Sequence, residues 1–331
     1  MGTYTQFKDG YAIESSSAGG TYGTSTIVQA TQTYLWGFIS QKAVHPSPRT
    51  TIGYRAVGVG TAEVPATYHW KQFFDLQGMY AVGLQNGVPI WAALGGSATA
   101  GGGPYTHTIT AATSLPSFTI QHERTGTATA WSTQFTGCKV AGLTLTCSSE
   151  QYYLIGRMDW IARKAEDPAF QLTNDPVLPP TATTAPYKFT GMTRTFNGAS
   201  IDGLMSMELQ IMPDLIPIRA HTWDSGTYTG QWLYNLIASS RRKYYLRMEL
   251  SPDSDDIWDS SVATTVTDDI VFKWSKSTND YIQITCTDCP LVFSELNTPE
   301  VGESLVDVVE CEPRSLSVEV KDSIAGGAYG E

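Results

Sequence analysis

Histidines, cysteines and carboxylates are the side chains of this chain that could do chemistry, and their spacing decides which chemistry is open to them. The five histidines, His45, His69, His107, His122 and His221, fall at no metal-ligand spacing. His107 lies in the run "THTIT", where it is expected to be a hydrogen-bonded structural histidine on a strand. Five cysteines are present: Cys138, Cys147, Cys286, Cys289 and Cys311. The pair Cys286-x-x-Cys289 has no second pair or histidine pair at zinc-finger spacing. A thioredoxin-type pair would need a helix start, whereas "YIQITCTDCPLV" reads as a strand entering a turn. The cysteines are therefore expected to be structural thiols, and their odd number argues against a disulfide framework.

The remaining candidates are equally plain. Asp253, Asp255, Asp256 and Asp259 lie close together, but the loop lacks the glycine and closing glutamate of a calcium-binding helix–loop–helix, so a solvated acidic loop is expected. "GGSATAGGGP" has neither the lysine nor the strand-to-helix setting of a phosphate loop. No nucleophile-elbow, Ser-x-x-Lys set or H-E-x-x-H pattern occurs, and the 32 acidic residues contain no pair that spacing singles out for glycoside hydrolysis. The expectation is a non-enzyme with no catalytic, cofactor-binding or metal-binding residues.

Composition narrows the class further. Of the 331 residues, 41% are hydrophobic and only 16% charged, so a sizeable core must be covered by a surface rich in Ser, Thr, Gln and Gly. The net charge of −11 is uneven: residues 1–180 carry ten acids and ten bases, residues 181–331 twenty-two and eleven. Binding to a phosphate backbone needs a basic surface, so a tight nucleic-acid binder is not expected. "MGTYTQFKDGYAI" lacks the apolar core of a signal peptide, Gln6 departs from the myristoylation pattern, and no apolar run is long enough to span a bilayer. A soluble chain made in the cytoplasm is expected.

The elements that would position these residues read as strands. Residues 1–40 form a Gly-, Ser- and Thr-rich stretch expected to be an extended arm. "TIGYRAVGVG" and "ATYHWKQFF" read as strands, "VPIWAALGG" as a short helix ending at Gly95 or Gly96, and "GGSATAGGG" as a flexible connector. Period-two alternation in "PYTHTITAATSLPSFTIQHE" predicts two strands paired through a turn at Leu115–Ser117. "FTGCKVAGLTLT" and "YYLIGRMDWIAR" predict a hairpin around "SSEQ". "NDPVLPPTATTAP", residues 174–186, is the clearest linker. Beyond it, "TGQWLYNLIASSRR" places Trp232, Leu233, Leu236 and Ile237 at helical intervals, with Arg241 and Arg242 at the C-terminal end. "KYYLRMEL", "DDIVFKWSK", "DYIQITC" and "RSLSVEVKD" read as strands. One phrase recurs: Phe135–Thr146 and Phe196–Met207 share F-x-G-x-x-[V/I]-x-G-L. The expected organisation is mainly β, with a first sandwich over 41–173, the linker, and a second sandwich over 187–331, each with a short flanking helix.

In order and spacing, His107–Ile109, Leu115–Phe118, Gly137–Val140 and Gly156-Arg157 resemble the tail tube proteins of long-tailed bacteriophages, as do "NDYIQITCTDCPLVFSELNTPEVGE" and "EPRSLSVEVKDS". The resemblance covers about residues 40–320. It implies a structural virion protein of the tail, assembled in the host cytoplasm into stacked rings whose inner sheets join as a β-barrel around a DNA conduit. It implies self-association, with three two-domain copies giving a pseudo-hexameric ring, contacts with tape measure and tail terminator or tip proteins, and transient passage of double-stranded DNA. No membrane and no cofactor are implied. On this view the repeated phrase marks one inner-sheet strand in each half, some acids of the second half face the lumen, and residues 1–35 and "GGSATAGGG" are arms bridging rings. Two alternatives rest on the residues alone: a carbohydrate-binding or depolymerising tail protein, from the nine Trp and seventeen Tyr, and a binding module with a structural calcium.

Overall fold

The computed structural model describes residues 87–126, 130–162, 164–166, 186–224, 227–238, 242–251, 268–296 and 306–329, with the segments Tyr4–Ile13, Thr33–Tyr34, Ser47–Pro48 and Phe74–Ala81. The strands expected over residues 51–73, the linker apart from Pro186, and the acidic loop Asp253–Asp259 lie outside the described residues. The chain runs β1 (Tyr4–Ile13), β2 (Thr33–Tyr34), β3 (Ser47–Pro48), β4 (Phe74–Ala81), helix α1 (Val88–Leu94), β5 (Gly95–Ala100), β6 (Tyr105–Ala111), β7 (Phe118–Gly126), β8 (Ala130–Ser148), β9 (Ile155–Ala162) and β10 (Lys164–Glu166). It continues with β11 (Met192–Phe196), β12 (Ala199–Ser200), β13 (Leu204–Met212), β14 (Leu215–Asp224), β15 (Thr227–Ala238), β16 (Lys243–Leu250), β17 (Asp268–Ser277), β18 (Asp280–Cys289), β19 (Leu291–Leu296), β20 (Asp307–Cys311) and β21 (Ser315–Asp322).

These strands form a twelve-stranded sheet, a seven-stranded sheet ordered β12-β11-β17-β18-β21-β6-β5, and the β14–β15 ribbon. Side-chain alternation drives the layering. In β16, Tyr244, Leu246, Met248 and Leu250 are buried while the residues between them are not, and β21 and β18 repeat the pattern. The buried residues of both sheets form one continuous cluster with Trp274, Phe272, Leu145, Leu209 and Val318 fully enclosed. This is a mainly β, sandwich-like architecture.

The two expected sandwiches, over 41–173 and 187–331, meet strand to strand in both sheets. In the twelve-stranded sheet β8 of the first half pairs with β13 of the second, with Leu145 opposite Leu209 and Leu143 opposite Ile211. In the seven-stranded sheet β6 pairs with β21, with Ile109 opposite Val318. Each half thus completes both sheets of the other, and the halves share one core. The repeated phrase does not mark equivalent strands throughout. The first copy lies wholly within β8, whereas the second passes from β11 through an Asn197-Gly198 turn and β12 into β13. Asn197 and Gly198 have φ of 48° and 82°, the left-handed pair that a two-residue hairpin requires. Of the second copy only Leu204–Met207 enter β13, the neighbour of β8 in the larger sheet.

Helix α1 forms as expected. Pro89 sits in its first turn, and Gly95 ends it at φ 91°, its N–H donating to the Trp91 carbonyl. A Cβ at Gly95 would lie 2.3 Å from the Ser114 carbonyl oxygen, so the chain needs glycine there for close approach as well. All seven helical residues are buried, and Trp91, Phe118 and Trp160 stack edge to face at 5.7 and 5.4 Å to tie the helix to β7 and β9.

Three further expectations change. "GGSATA" is strand β5, hydrogen-bonded to β6, rather than a connector. β6 and β7 exist, but they lie in different sheets, and the Leu115–Ser117 turn carries the chain between layers. The helix expected around Trp232 is β15, paired with β14. Leu233 faces Arg219 and Asn235 faces Ile218, so Tyr234 is the extra residue of a bulge. That bulge inserts a three-residue step between Leu233 and Leu236, which imitates helical spacing. Arg242, expected at a helix end, instead donates from Nη2 to the Ala112 carbonyl beyond β6. Of the arm expected over 1–40, Tyr4–Ile13 is a strand running antiparallel along β7.

Candidate functional site

The candidate site is a face. The outward side of the twelve-stranded sheet crosses both halves in registered rows. Thr144, Gln210 and Tyr245 form one row with Arg157, and Thr146, Glu208, Arg247 and Glu310 form the next. Ser148, Ser206 and Glu249 form a third. The charges are held by neighbours: Ser206 Oγ donates to Glu249 at 2.6 Å, Arg247 Nη1 lies 2.7 Å from Glu249, and Gln210 Nε2 donates to Glu208 at 2.6 Å. Partial burial, followed by the hydrogen bond to Glu310, pushes Tyr245 up to about 12. In these three rows Glu208, Glu249 and Glu310 stand against Arg157 and Arg247, one more acid than base, and all three acids come from the second half.

The Ser206 hydroxyl and then the Arg247 guanidinium hold the Glu249 carboxyl below the usual glutamate range, against the opposing effect of burial. A depressed carboxyl contributes stability above its unfolded pKa and loses it as pH falls through the folded value. Glu249→Gln should therefore lower Tm slightly at pH 7, with the difference from the parent shrinking as pH falls below about 4 and gone once pH is under the depressed folded value. Melting curves across that range check this; a difference that persists at low pH contradicts it.

The outward side of the seven-stranded sheet has a different character. Thr106, Thr108, Thr285 and Thr287 surround Lys273, Tyr281, Glu319 and Lys321. The Lys273 ammonium lies 3.9 Å from the Tyr281 ring centroid, and the Tyr281 hydroxyl donates to Glu319, a bond that with burial raises Tyr281 to about 12. This central part of the face has two lysines to one glutamate, with exposed Asp269 farther along β17.

His107 is fully buried, in the structural role expected of it. Its Nε2 faces Asp322 Oδ1 at 3.2 Å and the Ile324 carbonyl at 2.9 Å, so Nε2 carries the ring proton, and Nδ1 lies 2.8 Å from Thr99 Oγ1. Asp322 also accepts from Ile324 N at 2.7 Å and from the Tyr329 hydroxyl at 3.3 Å. Tyr329 stacks on His107 with centroids 4.0 Å apart, and Gly87 N donates to its hydroxyl at 3.3 Å. The cluster fastens the C-terminal segment under α1 and β5. Asp322 and Tyr329 had no signal in the sequence, because their partners lie more than two hundred residues away. All five cysteines are free and buried. Among the described residues no group of His, Cys, Asp or Glu is arranged to hold a metal ion, and no helix is long and apolar enough to cross a membrane.

In comparison with known families, residues 73–219 fit the model of a family described as phage tail tube protein. The matched segment runs from β4 through the β8–β13 pairing into β14 and spans residues 174–186. No curated protein matches the chain.

Proposed function

We propose that this chain, placed in the phage tail tube protein family by its residues 73–219, assembles with copies of itself into stacked rings, and that the outward face of its twelve-stranded sheet lines the channel through which DNA leaves the particle. The observation that carries the proposal is the charge pattern of that face. DNA presents about one negative charge per 1.7 Å of axis, so a channel wall rich in unpaired cations would hold it. The wall formed by Thr144, Thr146, Ser206, Glu208, Gln210 and Glu249 has one acid in excess, and its Arg247 is engaged by Glu249. The opposite face, with Lys273 and Lys321, is the less suited of the two.

Ring closure is supported by the edges. β5 and β12 end the seven-stranded sheet and β19 ends one path of the larger one, leaving rows of backbone groups that a neighbouring copy can complete. Exposed Val292 on β19 adds an apolar contact at such an edge. Contacts between unlike surfaces close into rings when the rotation permits. With six sectors per ring, as the resemblance implies, and two halves per chain, three copies complete a ring. Tape measure and tail terminator or tip proteins would meet the tube at its interior and ends, and the working location is the virion tail. A sugar-binding function would draw on the exposed Tyr152 and Tyr153, but these rings meet at 83° and offer no flat stacking platform. Electron microscopy of the purified chain tests the proposal: rings or rods with an open channel are expected, and discrete compact particles at every concentration overturn it.

A further inference from the structure

The chain passes between the two sheets twice at one corner, and three thiols meet there. β18 ends at Cys289 in the seven-stranded sheet, and after Pro290 the chain enters β19 in the twelve-stranded sheet, where Leu291 lies opposite Cys311. β20 ends at Cys311, Arg314 N then donates to the Thr287 carbonyl, and Leu316 pairs with Cys286. Both crossings therefore flank the same three cysteines. Asp288, at φ 54°, makes the bulge that turns Cys289 inward beside Cys286, and Cys289 Sγ lies 3.4 Å from the Cys286 carbonyl oxygen. Cys286, Cys289 and Cys311 are 0%, 0% and 3% exposed, yet Pro290 beside them is at the surface.

We propose that Cys289 and Cys311 are a redox site, closing to a disulfide that staples the two sheets when a low-molecular-weight disulfide of the glutathione type reaches the corner. The geometry favours Cys311 over Cys286 as the partner. Cys286 and Cys289 share a strand whose residues rise about 3.3 Å each, which holds their α-carbons near or beyond the span a disulfide tolerates. Cys311 lies in the other layer, opposite Leu291 two residues on from Cys289, and its thiol hydrogen-bonds Cys289. Hydrogen bonds from the Cys286 and Cys311 thiols hold Cys289 below the ordinary thiol range, so Cys289 is the attacking sulfur. Its thiolate attacks one sulfur of the oxidant, forming a mixed disulfide and expelling one thiolate. Cys311 then displaces the second, its proton passing to the departing thiolate. Two protein thiols are oxidised and one small disulfide is reduced to two thiols.

Cys138 and Cys147 are outside this exchange, because both lie on β8, which β13 and β16 separate from β20 and Cys311. The test is thiol counting on the full chain. Native protein is incubated with oxidised glutathione, quenched in acid, denatured and alkylated with N-ethylmaleimide. Reduced protein takes five adducts, one per cysteine. Oxidised protein should take two fewer, with a peptide linking Cys289 to Cys311, and dithiothreitol should restore the full number. Cys138→Ser should still lose two, and Cys311→Ser should lose one, held in that variant as a glutathione adduct on Cys289 with no internal link. In the unaltered chain, persistence of every thiol after prolonged exposure, glutathione adducts without an internal link, or a link between any other pair overturns the proposal. The peptide map of the unaltered chain decides the outcome even if Cys311→Ser fails to fold.

Discussion

His107→Leu should lower the unfolding free energy by roughly 3 kcal/mol and leave the C-terminal segment open to protease. His107 and Asp322 are 0% and 3% exposed, so the substitution removes a donor from a carboxylate that water cannot reach. It also removes the ring on which Tyr329 stacks. Asp322 would keep only Ile324 N–H and the Tyr329 hydroxyl of the donors described above. Far-UV circular dichroism should be unchanged, because β6 and β21 stay paired through their backbones, while cleavage within residues 323–329 should become fast. A cycle with Asp322→Asn separates the pair from its surroundings: the two losses should be strongly non-additive. Additive losses with an intact C-terminus would mean that the cluster does not act as a unit.

The second large effect is on DNA passage. Changing Glu208, Glu249 and Glu310 together to lysine converts the proposed wall from slightly acidic to strongly basic without touching the buried face of the sheet. Each lysine near a phosphate gains by counterion release, so DNA should be held, with a dependence on salt that the parent lacks. Tubes should still form, genome release should fall more than tenfold, and raised ionic strength should recover part of it. Glu319→Lys, on the other sheet, is the control and should leave release near normal. Conversion of the three glutamates to glutamine separates charge reversal from loss of hydrogen bonds; it should slow release little.

Much of the local structure was legible in the residues. The β8–β9 hairpin followed from two alternating runs around "SSEQ", and α1 followed from Pro89 and Gly95 at its ends. His107 stood out because one polar ring in a strand of alternating threonines must be satisfied inside the core. What escaped was non-local. β8 with β13 and β6 with β21 are pairings between the halves, and no period in the sequence says which strand a neighbour will be. Those pairings join the two expected sandwiches through both sheets and one buried cluster. β15 escaped for a local reason, since the bulge at Tyr234 replaces the two-residue period of a strand by a helix-like step. The candidate face was legible only as an excess of acids in the second half. Placing Glu208, Glu249 and Glu310 on one surface required the register of β13, β16 and β20.

A cryo-electron microscopy reconstruction of tubes formed by the chain tests the central claim most directly, because it reads which surface borders the channel. The account predicts closed rings in which Thr146, Glu208, Arg247 and Glu310 point at the axis and Lys273 and Lys321 point away. Rings lined by Lys273 and Lys321, or a chain that never closes into rings, would contradict it.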